Sequence, residues 1–261
     1  GLGDVYKRQL DTSGPMTKNV IDNAILLDAI AVKDPKDSIT LTASRSGFFI
    51  MAPKQKSLKG IRLGAYEMLI KSDSLYRNAV NDLKKSGAEV ISIAKDNVDL
   101  PGFLKILDGD MKRDVPAYFS STSNANYAGL DVEQIRTFNS TDSLLYMPYN
   151  QQRLDGVQAD TSSDQDLQQT KNRLHKISSN FFKKPIEENN LNAILSINNL
   201  HAPYAAIAFY PGITVPMGYS KLGEPKSLTF IAPSFSEQEL LSIAAGYEAI
   251  TKHRKLPKGY E

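Results

Sequence analysis

Residues 61–93 read IRLGAYEMLIKSDSLYRNAVNDLKKSGAEVISI. Ile61, Leu63 and Ala65 alternate with Arg62 and Gly64, the period of two that a strand requires. Ser72 or Asp73 is predicted to cap the following helix, in which Leu75, Ala79 and Leu83 share one face. Gly87 falls just past the helix end, where a glycine closes the last turn. Ala88 to Ile93 is a second apolar, β-rich run. Strand, helix and strand joined by short links form a βαβ unit, so the two strands are predicted to be parallel. That unit places the chain among the α/β folds.

On the amino-terminal side, Asp11-Thr12-Ser13-Gly14-Pro15 is a turn cluster, and Thr17 is positioned to cap the helix after it. Val20, Ile21, Ala24, Leu27 and Ala31 then recur at helical spacing, which predicts an amphipathic helix ending near Asp34-Pro35. On the other side, 101–119 reads as helix with a break at Asp114-Val115-Pro116; 131–138 and 164–182 are further helices. Strands are predicted at 191–196, 213–215 and 228–232, the last after a turn at Gly223-Glu224-Pro225. Ser236 is predicted to cap a final helix with Leu240, Ile243, Ala244 and Tyr247 on one face. With no internal repeat or low-complexity linker, 11–261 is read as one partial domain. Gly1 to Gln9 carry neither cap nor hydrophobic period and resemble a translated sequencing-adapter string, so 1–10 is read as a non-native or disordered segment.

Composition narrows the partners. The 31 basic and 29 acidic residues leave a net charge of +2, too balanced to point to nucleic acid or an anionic membrane. The basic runs at 54–59 and 252–258 are read as solvated loop and tail. Cysteine is absent, which removes disulfides, thiolate zinc sites and a cysteine nucleophile. The most apolar stretch, 202–218, is interrupted by Pro203, Pro211, Gly212 and Pro216 and reads as buried strand and turn. No signal peptide opens the chain, and the compartment stays open.

Self-sufficient catalytic motifs are missing: no Gly-x-Ser-x-Gly elbow, no His-Glu-x-x-His, no phosphate loop and no Gly-x-Gly-x-x-Gly. His175, His201 and His253 are far apart in sequence and read as structural. The one Ser-x-x-Lys match, Ser92 to Lys95, falls at the end of a predicted strand. There the spacing sends the two side chains to opposite faces, so it is no catalytic pair.

Two segments carry a family resemblance. Asp11-Thr12-Ser13-Gly14-Pro15-Met16-Thr17, with the helix from Asn19 to Ala31 and Asp34-Pro35, resembles the Asp-Thr-x-Gly-Pro-Met segment of the amidase signature family. Tyr210-Pro211-Gly212-Ile213-Thr214-Val215-Pro216-Met217-Gly218 is similar to that family's Gly-Tyr-Pro-x-Ile-Thr-Val-Pro-x-Gly stretch. Between them, Leu58 to Gly64 and Gly87 to Val90 fit its strand and helix–strand unit. Gly223 to Phe230, Phe235-Ser236-Glu237, Leu240-Leu241, Tyr247-Glu248 and Thr251 continue the likeness. Ile135 to Tyr149 looks more like the stand-alone amidases than the tRNA-linked amidotransferase subunit.

The resemblance implies the carboxy-terminal part of an amidase-signature fold: a mixed, largely parallel twisted β-sheet covered by α-helices. It implies hydrolysis of a carboxamide through a serine nucleophile, a second serine beside a cis peptide and a neutral lysine. In the family those three lie upstream of the Asp-Thr-x-Gly-Pro-Met segment. Only ten residues precede that segment here and none is serine, so no catalytic residue is assigned and this part alone is expected to be inactive. Lys18 and Ser13 belong to the matching segment and do not fill those roles. Ile197-Asn198-Asn199 stands where the family commonly has a Pro-Thr pair, which makes Asn198 and Asn199 the candidates for lining a substrate pocket. A polar cap on a turn is the alternative role for either. Ser227 and Ala232 also stand where the family often has glycine. No metal or organic cofactor is implied. The expected partner is a small-molecule or peptide amide, with no nucleic acid or membrane, and a homodimer left open. Two other readings stand beside this one: the ammonia-generating subunit of a tRNA-dependent amidotransferase, and a non-catalytic α/β domain binding a small ligand.

Overall fold

The computed structural model describes residues 10, 14–35, 49, 57–94, 98–122, 125–256 and 259. The segment 1–9, Asp11 to Ser13 and Lys95 lie outside the described residues, as do parts of both basic runs.

β1 (Arg62–Tyr66) and β3 (Ala193–Ile197) are buried along almost their whole lengths, as strands covered on both faces are. They are neighbours in a five-stranded sheet of order β2-β1-β3-β5-β4, where β2 is Glu89–Ile93, β4 Gly212–Tyr219 and β5 Pro225–Ile231. β1 pairs parallel with β2 and with β3, whereas β5 runs antiparallel to β3 and β4 antiparallel to β5. The predicted βαβ unit is therefore present, and the sheet is mixed. The two outer strands show interrupted burial.

Following β1, α2 (Glu67–Ser72) leads into α3 (Ser74–Lys85), capped by the Asp73 carboxylate, which accepts from the Tyr76 N–H at 2.8 Å. Tyr76, Ala79, Val80 and Leu83 of α3 are buried. The Tyr76 hydroxyl donates to the Leu195 carbonyl at 2.9 Å, tying helix to central strand. Burial pushes this phenol above its usual range, so it remains a neutral donor. Gly87 closes α3 at φ +95°, the conformation its position in the sequence anticipates. At the amino ends of the strands, Arg62 pairs with Glu89 across the β1–β2 register and donates to the Asn189 carbonyl. Asn192 accepts from the Arg62 N–H and donates to Glu239. These bonds fix the mutual register of β1, β2 and β3.

α1 (Val20–Ile30) forms where predicted, but Asn19 rather than Thr17 caps it, accepting from the Asp22 N–H at 2.8 Å. Its amphipathic reading is corrected. Val20 and Ala24 are buried, whereas Ile21 is 54% and Ile25 46% exposed, so the helix is apolar on its open side as well. α10 (Glu237–Thr251) packs on β4 and β5 through Leu240, Leu241, Ile243, Ala244 and Tyr247, and α1 packs on α10. The cap expected for it is corrected, since the Ser236 side chain makes no capping bond. α9 (Ala202–Ala208) links β3 to β4.

The chain groups into two compact units, 1–98 with 176–261, and 99–175. The second is helical: α4 (Phe103–Thr122), α5 (Val132–Ser140), α6 (Ser143–Tyr146), α7 (Gln152–Ala159) and the start of α8 (Asp164–Asn189). The break expected at Asp114 to Pro116 does not occur, and α4 runs through Pro116. The turn before the proline is clamped. Lys112 donates to the carbonyls of Gln158 and Asp160, and Arg113 bonds Asp110, Asp114 and Asp164, which offsets the one lost helical hydrogen bond. α8 likewise continues past the expected end at Phe182 and through Pro185. Asp131 caps α5 in a capping box with Gln134, and Arg136 on the same helix pairs with Glu133 and Asp155.

Candidate functional site

The two segments singled out in the sequence are separated by almost two hundred residues along the chain, yet they face one groove. Gly14 to Val20 and Asn23 form one side, and Tyr210 to Pro216 the other; Leu240, Leu241, Glu248 and Arg254 complete it. The groove is open and of about 950 Å³. It runs beside β4, the last strand of the sheet, whose other side is paired with β5.

Local chemistry sets this geometry. The Asn23 amide donates to the Pro15 carbonyl at 3.0 Å, folding the Gly-Pro-Met segment back onto α1. The Glu248 carboxylate accepts from the Val20 N–H at 3.1 Å, placing a negative charge at the helix amino terminus, where the unpaired N–H groups and the dipole favour it. On the other side, Pro216 and Gly218 interrupt the β4–β5 register, and Gly218 takes φ +140°. That irregularity turns the end of the strand.

The groove's charged groups are Lys18 and Arg254 against Glu237 and Glu248. Among the described residues that line it there is neither serine nor histidine. The contributions of Glu237 and Arg254 escaped the sequence reading because no local spacing marks them; only the packing of α10 brings them to the groove. Among the described residues no His, Asp and Glu cluster could hold a metal ion, and no helix is long and apolar enough to cross a membrane.

Asn198 and Asn199 do not line this groove. Asn198 sits at φ +47° directly after β3 and is bound to β5 on several sides. Its N–H donates to the Ser227 carbonyl and its Oδ1 accepts from the Ser227 N–H, both at 2.9 Å; its carbonyl accepts from the Thr229 hydroxyl at 2.5 Å. Asn199 is exposed, and its carbonyl accepts from the Ala202 N–H at the start of α9. Asn198→Ala is expected to destabilise the fold by about 2 kcal/mol, from an unpaired Ser227 N–H and a left-handed alanine. Asn198→Gly should recover only the backbone part. Urea denaturation of the three proteins checks this, and equal midpoints would remove Asn198 as the β3–β5 lock.

His201 contacts a serine. Its Nδ1 lies 2.7 Å from the Ser196 hydroxyl. Both residues are buried, at 1% and 0% exposure, with the His201 ring against Tyr66 and Phe181. The pair ties the end of β3 to the start of α9. His253 lies 4.0 Å from Asp82, and His175 belongs to the helical unit. Ser92 is exposed at the end of β2.

Comparison with known proteins accords with the geometry. A probable amidase of Arabidopsis thaliana is 31% identical over 274 residues, covering 99% of this chain and 52% of that protein. A glutamyl-tRNA(Gln) amidotransferase subunit of Maricaulis maris is 25% identical over 272 residues, covering 93% of this chain and 55% of that protein. The crystal structure of an amidase family protein from Bacillus anthracis superimposes with a TM-score of 0.88 at 28% identity, covering 99% of this chain and 51% of that one. The mixed sheet with flanking helices is thus the amidase-signature α/β fold. The chain spans about half the length of the relatives it matches. The amidase family profile matches residues 3–183, more than half of the sequence, and the chain belongs to the amidase family.

Proposed function

We propose that this chain is the downstream part of an amidase that hydrolyses the C–N bond of a small-molecule or peptide carboxamide. In this reading a serine adds to the amide carbonyl, and its proton passes through a second serine, held by a cis peptide, to a neutral lysine. The same lysine returns the proton to the departing amine, leaving an acyl-serine ester. Water then adds to the ester, its proton takes the same route, and the carboxylic acid is released. Backbone N–H groups hold the negative oxygen in both steps. In this reading the lysine, relay serine and nucleophile lie upstream of the Gly14-Pro15-Met16 segment.

The observation that carries this reading is the groove: the two family segments converge on it along the edge of β4. We assign the groove and the open side of α1 to contact with the upstream portion. The greater likeness to the Arabidopsis amidase than to the amidotransferase subunit favours the stand-alone hydrolase. Asn199, exposed where β3 leaves the sheet, is the chain's candidate for substrate contact.

Ammonia release from a panel of primary carboxamides and amino-acid amides tests the reading. The chain alone is expected to show no turnover, and the product of the complete gene to show it. Asn199→Ala in the complete protein should raise KM about tenfold, the size of one lost hydrogen bond, with little change in kcat. Turnover by the chain alone would overturn the division of roles. An unchanged KM would withdraw Asn199.

A further inference from the structure

Adjoining the groove is a recess of about 390 Å³ that shares Lys18, Pro216, Glu248 and Arg254 with it. It lies where the start of α1 meets the carboxyl end of α10. Lys18, Lys252 and Arg254 line it, and all three are exposed. None of them pairs with a carboxylate among the described residues. The carboxylates beside them are engaged otherwise. Glu248 accepts from the Val20 N–H at 3.1 Å, and Asp22 accepts from the Asn19 amide at 2.8 Å. His253, which also lines the recess, has Asp82 at 4.0 Å and is not counted with the three.

The helix ends account for two of these cations only. α10 stops at Thr251, Lys252 follows in the left-handed conformation at φ +47°, and cations are favoured at a helix carboxyl end. Lys18 immediately precedes the cap of α1, where the helix dipole disfavours a positive charge. Its placement runs against the local preference. Water solvates all three charges where the recess is open. A protein cover removes that water, and a cation buried without a partner is far more costly than one paired with a carboxylate. Whatever covers the groove therefore has to bring anions to this corner of it.

We propose that the upstream portion presents an acidic segment to this recess, its carboxylates pairing with Lys18, Lys252 and Arg254. Arg254 is suited to a bidentate bond with one of them. This rests on the assignment of the groove to the upstream portion and adds the chemistry of the contact.

Cross-linking with a water-soluble carbodiimide, which joins an amine to a carboxylate in contact with it, tests the proposal on the complete protein. Peptide mass spectrometry is expected to find Lys18 and Lys252 joined to Asp or Glu of the upstream portion. Lys18→Arg keeps the charge but removes the amine, and should lose the Lys18 link while retaining that of Lys252. Arg254→Lys should add a third link. Acetylation of Lys18 and Lys252, followed in parallel, should be slower in the complete protein than in the chain alone by at least about tenfold, as under a protein cover. Slowed acetylation without a link from either lysine to the upstream portion overturns the proposal and leaves the cover in place, as do links confined to Asp22 and Glu248. Acetylation at equal rates means that nothing covers the recess and overturns both the proposal and the assignment of the groove. Ammonia release by the complete protein then decides the hydrolase reading separately.

Discussion

Asp110→Ala is expected to destabilise the helical unit by about 3 kcal/mol, at the lower end of what removing one partner of a buried ion pair costs. Asp110 is 6% exposed and accepts from Arg113 at 2.5 Å and from Lys171 at 2.8 Å, so one carboxylate neutralises two cations from α4 and α8. Arg113 keeps Asp114 and Asp164 and is about a third exposed, which limits its loss. Lys171 is the more buried of the two cations and is left in low dielectric without this carboxylate. The network also holds the turn before Pro116, so its loss should release the break that the proline favours. Hydrogen exchange of α4 amides is expected to accelerate roughly a hundredfold, the equivalent of that energy. Asp110→Asn keeps the volume and one acceptor and should lose about half as much. Exchange unchanged by Asp110→Ala would show that helix packing alone carries α4 through the proline.

The paired substitution Ile21→Gln and Ile25→Gln is expected to have opposite consequences in two contexts. In the chain alone both side chains are about half exposed, so the unfolding free energy from urea denaturation should fall by no more than about 1 kcal/mol for the pair. In the complete protein, where we assign this face of α1 to contact with the upstream portion, the same pair should cost about 3–6 kcal/mol. Each loses roughly 1.5–3 kcal/mol of apolar burial. Exposed apolar side chains clustered as Ile21, Ile25 and Ile30 are on α1 mark a surface that other protein covers, which is why α1 discriminates between the readings. The complete protein responding as mildly as the chain would mean that nothing covers α1, and that part of the proposed function would fall.

Much of the fold was legible because its signals are local. Alternation in 61–65, the Asp73 cap and Gly87 after the last turn are set by neighbours in sequence, and each appears where it was expected. The misreadings share the opposite cause. Pro116 looks like a helix break until residues far away supply the bonds that carry the helix through it. α1 passed for amphipathic because its buried positions follow helical spacing, while the spacing says nothing about what faces Ile21 and Ile25. Asn198 was picked out as polar and next to a core strand, which is true; that its side chain is bonded to β5 depends on antiparallel pairing invisible from position 198.

By itself the sequence determined the βαβ unit, the α/β class and the family likeness, because these rest on periodicity, caps and short motifs carried by contiguous residues. Only the tertiary structure decided that residues 14–20 and 210–216 share one groove, that Ser196 and His201 meet in the core, and that Asp110 serves two cations. The physical reason is the same for all three. Contacts between distant segments are fixed by burial and strand order, and neither leaves a periodic mark on the segments it joins.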